Sequence, residues 1–311
     1  MGIELIIVSF MAIALMRVAQ KISAKKVSKE VKGRIFFRYG GYYNLLSALF
    51  SLITLFMVGF DGFDIPTILC ALATAVCLAL ELFATIEVLK ATTLVVNQMF
   101  SVGALIIPCI AGIFFFNEPM TIWQWLGIGV FVVAMYFMVS GAKQSNAKKV
   151  EKLSLKTIML LLLTLFAGGG TMVAQKAFAV VVPNGSVAAY SFLMFALNAI
   201  ILYIGYGISS LVKNYKVKIL EVAVEEKQSC TLPKVLLVCG LILAFAVFVI
   251  NMLVTELGKY INSAVLFSVS YAIGIVITIL VGAIFYNEKI TIKHIIGIVL
   301  CVGALAMINF L

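Results

Sequence analysis

Glu81 is the residue hardest to assign to packing alone. It stands in Leu78-Ala-Leu-Glu81-Leu-Phe-Ala-Thr85, an apolar run in which Thr85 follows one helical turn later on the same face. A charged group deep in an apolar medium costs roughly 2.5–3.5 kcal/mol on membrane-insertion scales, so its presence asks for a task. A carboxyl there could hold a polar solute, couple solute movement to protonation, or tie helices together by a hydrogen bond. Asn251 and Thr255 repeat the spacing of Glu81 and Thr85 at an offset of 170 residues. Asn97 and Ser101 share a helical face with Gln98 beside them, and Ser268 and Tyr271 stand 170 residues after Gln98 and Ser101. Such side chains serve equally to line a polar cavity or to hydrogen-bond between helices.

Other chemistries lack their residues. A single His rules out a multi-histidine metal site, and six Cys without a CxxC pair make neither a zinc site nor a disulfide framework. Gly168-Gly-Gly170 lacks the GxxxxGK[ST] frame of a phosphate-binding loop and sits in an apolar run, which reads as close helix packing. No metal, no cofactor and no ATP site are expected, and an intramembrane enzyme has no paired nucleophile and base to work with.

The elements that carry these residues follow from composition. Of 311 residues, 64% are hydrophobic and 12% charged, against about 45–50% apolar in a soluble domain. That excludes an ordinary soluble enzyme, a disordered chain and, despite a net charge of +10, a nucleic-acid binder. A helix crossing the bilayer needs about 20 mostly apolar residues. Ten such runs are present: Ile3–Ala19, Ile35–Phe60, Ile65–Leu89, Ala91–Phe116, Ile122–Ser140, Thr157–Val182, Val187–Leu211, Val235–Leu257, Ile261–Tyr286 and Ile292–Leu311. Backbone groups in lipid must be satisfied within the segment, so these runs are predicted to be helices. The short joints Asp61–Asp64, Asn117–Thr121 and Pro183–Ser186 make antiparallel hairpins of the flanking spans. The first span has only Glu4 before it and no small-residue cleavage site after it, which argues against a removable signal.

Charge supplies an orientation. The connections after spans 1, 3, 5, 7 and 9 hold 21 of the 23 basic residues, leaving Lys176 and Lys259 elsewhere. By the positive-inside rule that side is cytoplasmic, and both termini are expected outside a cell membrane. Arg38, in a span start that also holds Tyr39, Tyr42, Tyr43 and Asn44, and Lys176, after Gln175, are candidates for gating or charge pairing. Lys176 could neutralise an anionic solute or pair with Glu81, and its stem could also snorkel to the surface. Glu87 reads as a solvated partner of Lys90.

The chain also repeats itself. Gly112 to Ala134 and Gly282 to Ala304 share ten identities in 23 positions at an offset of 170, among them Gly112, Asn117, Glu118, Thr121 and Gly127. Val18-Ala-Gln-Lys21 returns as Val173-Ala-Gln-Lys176 at an offset of 155, and the longer connection Lys213 to Lys234 absorbs the difference. The expected organisation is a first five-helix repeat over residues 1–141, a basic cytoplasmic linker over 142–156 and a second five-helix repeat over 157–311. Because five is odd, the second unit enters the membrane from the opposite side. Inverted repeats of this kind build secondary transporters with a midplane site between the halves. Glu118 and Glu288, at helix exits beside Asn117 and Asn287, are expected to accept exposed amides at the start of the next helix.

Three features resemble the drug/metabolite transporter superfamily, specifically its EamA-like ten-helix permeases. They are the five-plus-five duplication, the stretch Gly103 to Glu118 with Pro108 inside and Asn-Glu at its exit, and Glu118 to Gly127 repeated as Glu288 to Gly297. The resemblance implies alternating-access transport, commonly export, of a small organic solute such as an amino acid, metabolite or drug-like compound. It departs in two places: well-known members have cytoplasmic termini, and Thr278 replaces a second proline at the position matching Pro108.

The expected fold is an all-α integral membrane protein, and the expected function a secondary transporter, coupled to protons through Glu81. Its partners would be a small-molecule substrate and the lipid bilayer, with no nucleic acid. A flippase for a lipid-linked or amphiphilic substrate and a non-transporting membrane scaffold are the alternatives.

Overall fold

The structure is a computed structural model that describes residues 11–16, 18–19, 22–23, 34–59, 62–91, 100–101, 103–145, 155–220, 232–262, 266 and 292–310. Its helices are α1 (Arg34–Val58), α2 (Ile65–Ala91), α3 (Ile106–Phe115), α4 (Ile122–Ser145), α5 (Leu155–Val181), α6 (Val187–Leu220), α7 (Lys234–Leu257) and α8 (Ile292–Phe310). Among the described residues there is no strand. Stretches of α1, α2, α5, α6 and α7 are long and apolar enough to cross a membrane, and Ile106–Phe115 and Ile122–Ala134 are shorter apolar helices. The expected run Ile261–Tyr286 lies almost wholly outside the described residues.

Two expected boundaries are corrected. The fourth run was expected as one helix from Ala91 to Phe116, but the chain makes a turn at residues 104–105 and α3 starts afresh at Ile106. Pro108 explains the break, because it has no N–H to give the carbonyl four residues back. That carbonyl, on Ala104, instead accepts the N–H of Ile107 at 3.1 Å in a tighter turn. Pro108 thus lies in the first turn of α3, where a missing donor does least harm. The seventh run was expected to end at Leu211, yet α6 continues to Leu220. Nothing in Val212 to Leu220 breaks a helix, and lysine is a good helix former.

Large apolar side chains cover the outside of the bundle, with Phe56, Met57, Phe114 and Phe115 all more than 70% exposed. Small residues fill its seams: Ala71, Ala75, Ala79 and Ala84 of α2 are buried. Lipid supplies no hydrophobic drive between helices, so close backbone approach through small residues is what holds them. The glycine triplet of α5 takes this furthest. A Cβ on Gly169 would sit 2.5 Å from Ile107 Cδ1 and 2.9 Å from the Ala104 carbonyl, so α5 lies directly against the break before α3.

The pairing of helices is ordered. α1 packs along α6, and α4 along α8. In the expected five-plus-five organisation the second and seventh runs, and the fifth and tenth, would be counterparts, and on that organisation each of these contacts joins a helix to its counterpart. α2 packs on α5 and α6, α7 on α1, and α3 on α5. One buried cluster combines Leu105, Cys109, Phe131, Ala134, Met172 and Ala304, and another combines Ala48, Ala71, Phe178, Tyr190, Met194 and Phe195. In the second, the rings of Phe178 and Tyr190 stack at 4.2 Å, and the Tyr190 hydroxyl shares a 2.6 Å hydrogen bond with Thr74.

Candidate functional site

Polar side chains gather around α5. On α5, Gln175 Nε2 donates to Asn251 Oδ1 of α7 at 2.6 Å, and Asn251 Nδ2 returns to its own helix at Val247 O, 2.9 Å away. One turn further along α7, Thr255 is 1% exposed and its hydroxyl has no hydrogen-bond partner among the described residues. Buried hydroxyls are ordinarily satisfied, so this one is a feature to explain.

Lys176, next to Gln175, is 5% exposed and engages three oxygens: Glu118 Oε1 at 2.7 Å, Ile261 O at 2.8 Å and Gly258 O at 2.9 Å. An ammonium has three N–H donors, so each is accounted for. Of the roles left open by the sequence, charge pairing is thus met by Glu118 and not by Glu81. The distance from Glu81 to Lys176 could not be read from composition, whereas α3 and its exit loop reach Lys176 because α3 packs on α5.

Glu118 is held by the local chain. Asn117 adopts φ 51°, a left-handed conformation that Asn tolerates at a helix C-terminus. The Glu118 N–H then turns back to Gly112 O at 3.0 Å. A Cβ on Gly112 would lie 2.8 Å from Glu118 Oε2, so a larger residue there would push the carboxylate from its place. The start of α4, where Glu118 was expected to act, is capped by a reciprocal pair: Thr121 N–H donates to Gln124 Oε1 at 3.0 Å, and Gln124 N–H to Thr121 Oγ1 at 3.3 Å. The Thr-x-x-Gln spacing was the available signal.

Glu81 is partly buried on α2, with Thr85 on the same helix also partly buried. It lies against the glycine triplet: a Cβ on Gly168 would be 3.4 Å from Glu81 Oε1. It is within electrostatic range of Tyr43 on α1 and of Cys77. Arg38 is partly buried near the start of α1, and Ser101 is partly buried just before the break. Glu87 is partly buried near the end of α2. Asn97, Gln98, Ser268 and Tyr271, together with Lys21 and Glu288, lie outside the described residues.

A second seam was not expected from the sequence. Asn198 Nδ2 of α6 donates to Asn44 Oδ1 of α1 at 3.1 Å, and Asn44 Nδ2 donates to Gly40 O at 2.8 Å. Ser47 Oγ reaches across to Ala244 O of α7 at 3.1 Å. Asn44, Ser47, Ser191 and Asn198 are all at most 2% exposed, and Ser191 Oγ and Asn198 Oδ1 have no hydrogen-bond partner among the described residues. Asn44 and Asn198 are 154 residues apart, close to the offset of 155 that relates spans 1 and 6, which was the signal that could have found them.

The family model for the EamA-like transporter family matches residues 155–310. No curated protein matches the chain. Among solved structures 28 chains match; one, a crystal structure, aligns with a TM-score of 0.66 and 13% identity over 99% of this chain and 98% of its own, a likeness of fold alone. With half of its length matched by that family model and its apolar helices long enough to span a bilayer, the chain belongs to the EamA-like transporter family of the drug/metabolite transporter superfamily and is a multi-pass membrane protein.

Proposed function

We propose that the chain is a secondary transporter that carries a small organic solute, such as an amino acid, metabolite or drug-like compound, by alternating access. It works as two inverted five-helix repeats, residues 1–141 and 157–311, joined by the basic linker 142–156 in a cell membrane with both termini outside. The observation that carries this reading is the packing of α1 on α6 and of α4 on α8. Two-fold related units place counterparts beside each other on their shared axis, and inverted repeats use that axis to frame a substrate site at mid-membrane. The family match over 155–310 coincides with the second unit and supports the same division.

The site is read as Glu81 and Thr85 from the first half facing Asn251 and Thr255 from the second, extended by Asn97, Gln98, Ser101, Ser268 and Tyr271. The solute's polar groups replace water on these side chains, and the Glu81 carboxyl takes and releases a proton as the halves change exposure. A thermal-shift screen of purified protein against amino acids, amines and other metabolites identifies the solute, and uptake of each stabilising compound is then driven by a pH gradient in proteoliposomes. Glu81→Gln is expected to keep the fold and lose gradient-driven uptake. Unchanged gradient dependence in that variant overturns the proton coupling, and a panel in which nothing binds or moves overturns the transporter reading for those classes.

A further inference from the structure

The cation-poor end of the molecule holds an ion pair whose surroundings look built for release rather than for permanent strength. Lys176 pins three segments together: the loop after α3 through Glu118, its own helix α5, and the turn after α7 through Gly258 O and Ile261 O. The loop belongs to the first half and the other two segments to the second. Glu118 is 14% exposed against 5% for Lys176, so the acidic end of the pair is the less buried of the two.

The attraction within a buried ion pair is largely offset by the loss of hydration of both charges. Separating the pair by admitting water therefore restores most of what the contact supplied. An apolar seal of equal area would instead lose its burial on opening, with nothing regained. A wettable ion pair is thus a contact that can hold a face closed and still let it open. The repeated residues Gly112, Asn117 and Glu118 acquire a common purpose on this view. Gly112 clears space for the carboxylate, Asn117 turns the chain, and Glu118 is presented towards α5.

We infer that Glu118 and Lys176 form a gating pair, closed in this structure, that controls access from the cation-poor face. The inference rests on the alternating-access reading above, and it assigns Lys176 to gating with all three donors engaged rather than to holding an anionic solute in this state.

The test measures the distance between Pro119 and Tyr260, both exposed and flanking the pair, by pulsed electron paramagnetic resonance in nanodiscs. Spin labels are carried on ketone-bearing amino acids at these two positions, so the six native cysteines stay in place. The unmutated pair is expected to give a short and a long distance. Glu118→Gln should raise the long-to-short ratio about tenfold, equivalent to ~1.4 kcal/mol. Gly112→Ala, which leaves both charges in place and only crowds the carboxylate, should move the ratio in the same direction and serves where the first variant does not fold. Two distances whose ratio neither variant changes would overturn the gate while leaving alternating access intact. A single short distance in all three proteins would overturn the gate and alternating access at this face together.

Discussion

Asn198 Nδ2 of α6 donates to Asn44 Oδ1 of α1 at 3.1 Å, so two amides tie together a helix from each half at full burial. The bond is asymmetric in what each partner has besides. Asn44 also reaches Gly40 O, whereas the Asn198 carbonyl has no hydrogen-bond partner among the described residues.

That asymmetry predicts unequal mutants. Asn44→Ala leaves Asn198 with both its donor and its acceptor buried and unmade, while Asn198→Ala removes an orphan and takes from Asn44 only the donor to its Oδ1, its Nδ2 staying bonded to Gly40 O. An unsatisfied buried polar group costs about 1–3 kcal/mol, so Asn44→Ala should lower the melting temperature in detergent clearly more than Asn198→Ala. Equal losses would mean that the Asn198 carbonyl finds water or another partner.

Thr255 separates binding from stability. Its hydroxyl is buried without a hydrogen-bond partner among the described residues, so Thr255→Val, nearly isosteric, should keep the stability or raise it by up to about 1 kcal/mol, read as an unchanged or higher melting temperature. The same change should weaken stabilisation by whichever compound the thermal-shift screen identifies. Full ligand stabilisation in Thr255→Val would remove this residue from the site.

A buried and an exposed glycine should respond with opposite signs. Gly169→Ala forces a Cβ against Ile107 and the Ala104 carbonyl and should cost about 1–3 kcal/mol through overpacking. Gly129, inside α4, has nothing within 4 Å of its would-be Cβ. Gly129→Ala should therefore stabilise by about 0.5–1 kcal/mol through helix propensity. Thermal unfolding of the two variants side by side decides the matter.

The cap of α4 is open to a local measurement. Thr121→Ala removes the acceptor for Gln124 N–H and one half of the reciprocal pair, at about 1 kcal/mol. Hydrogen exchange should quicken at the amides of Gln124 and Trp125 and stay unchanged along α2.

Orientation is tested from the outside. Asn146→Cys and the native Cys230 stand in two of the cation-rich connections, so a membrane-impermeant thiol reagent should reach both in inside-out vesicles and neither in intact cells. Labelling of the two from opposite faces would break the assigned topology.

Much of this protein is legible in its sequence. Apolar runs of about 20 residues must be helices in lipid because their backbone has nowhere else to bond, and five of the expected runs are such helices. The repeat could be read because Gly, Asn, Glu and Thr recur at one offset within apolar sequence. The structure supplies reasons for three of these, since Gly112 makes room, Asn117 turns the chain at φ 51°, and Glu118 meets Lys176. The turn at residues 104–105 was partly legible in Pro108, which removes a donor, but where the chain would re-form its bonds depended on α5 lying against it.

What the sequence determined is therefore what periodicity and solvent govern: an all-helical membrane chain, with five of the expected runs long and apolar enough to cross a bilayer. Tertiary structure alone decided which polar groups meet. Lys176 found Glu118 rather than Glu81, and Asn44 found Asn198. The reason is geometric. A helical repeat of 3.6 residues ties each side chain to its own helix's faces, but its neighbours on other helices depend on how closely backbones approach, and in lipid that approach is set by small residues such as Gly168 to Gly170 and the alanines of α2.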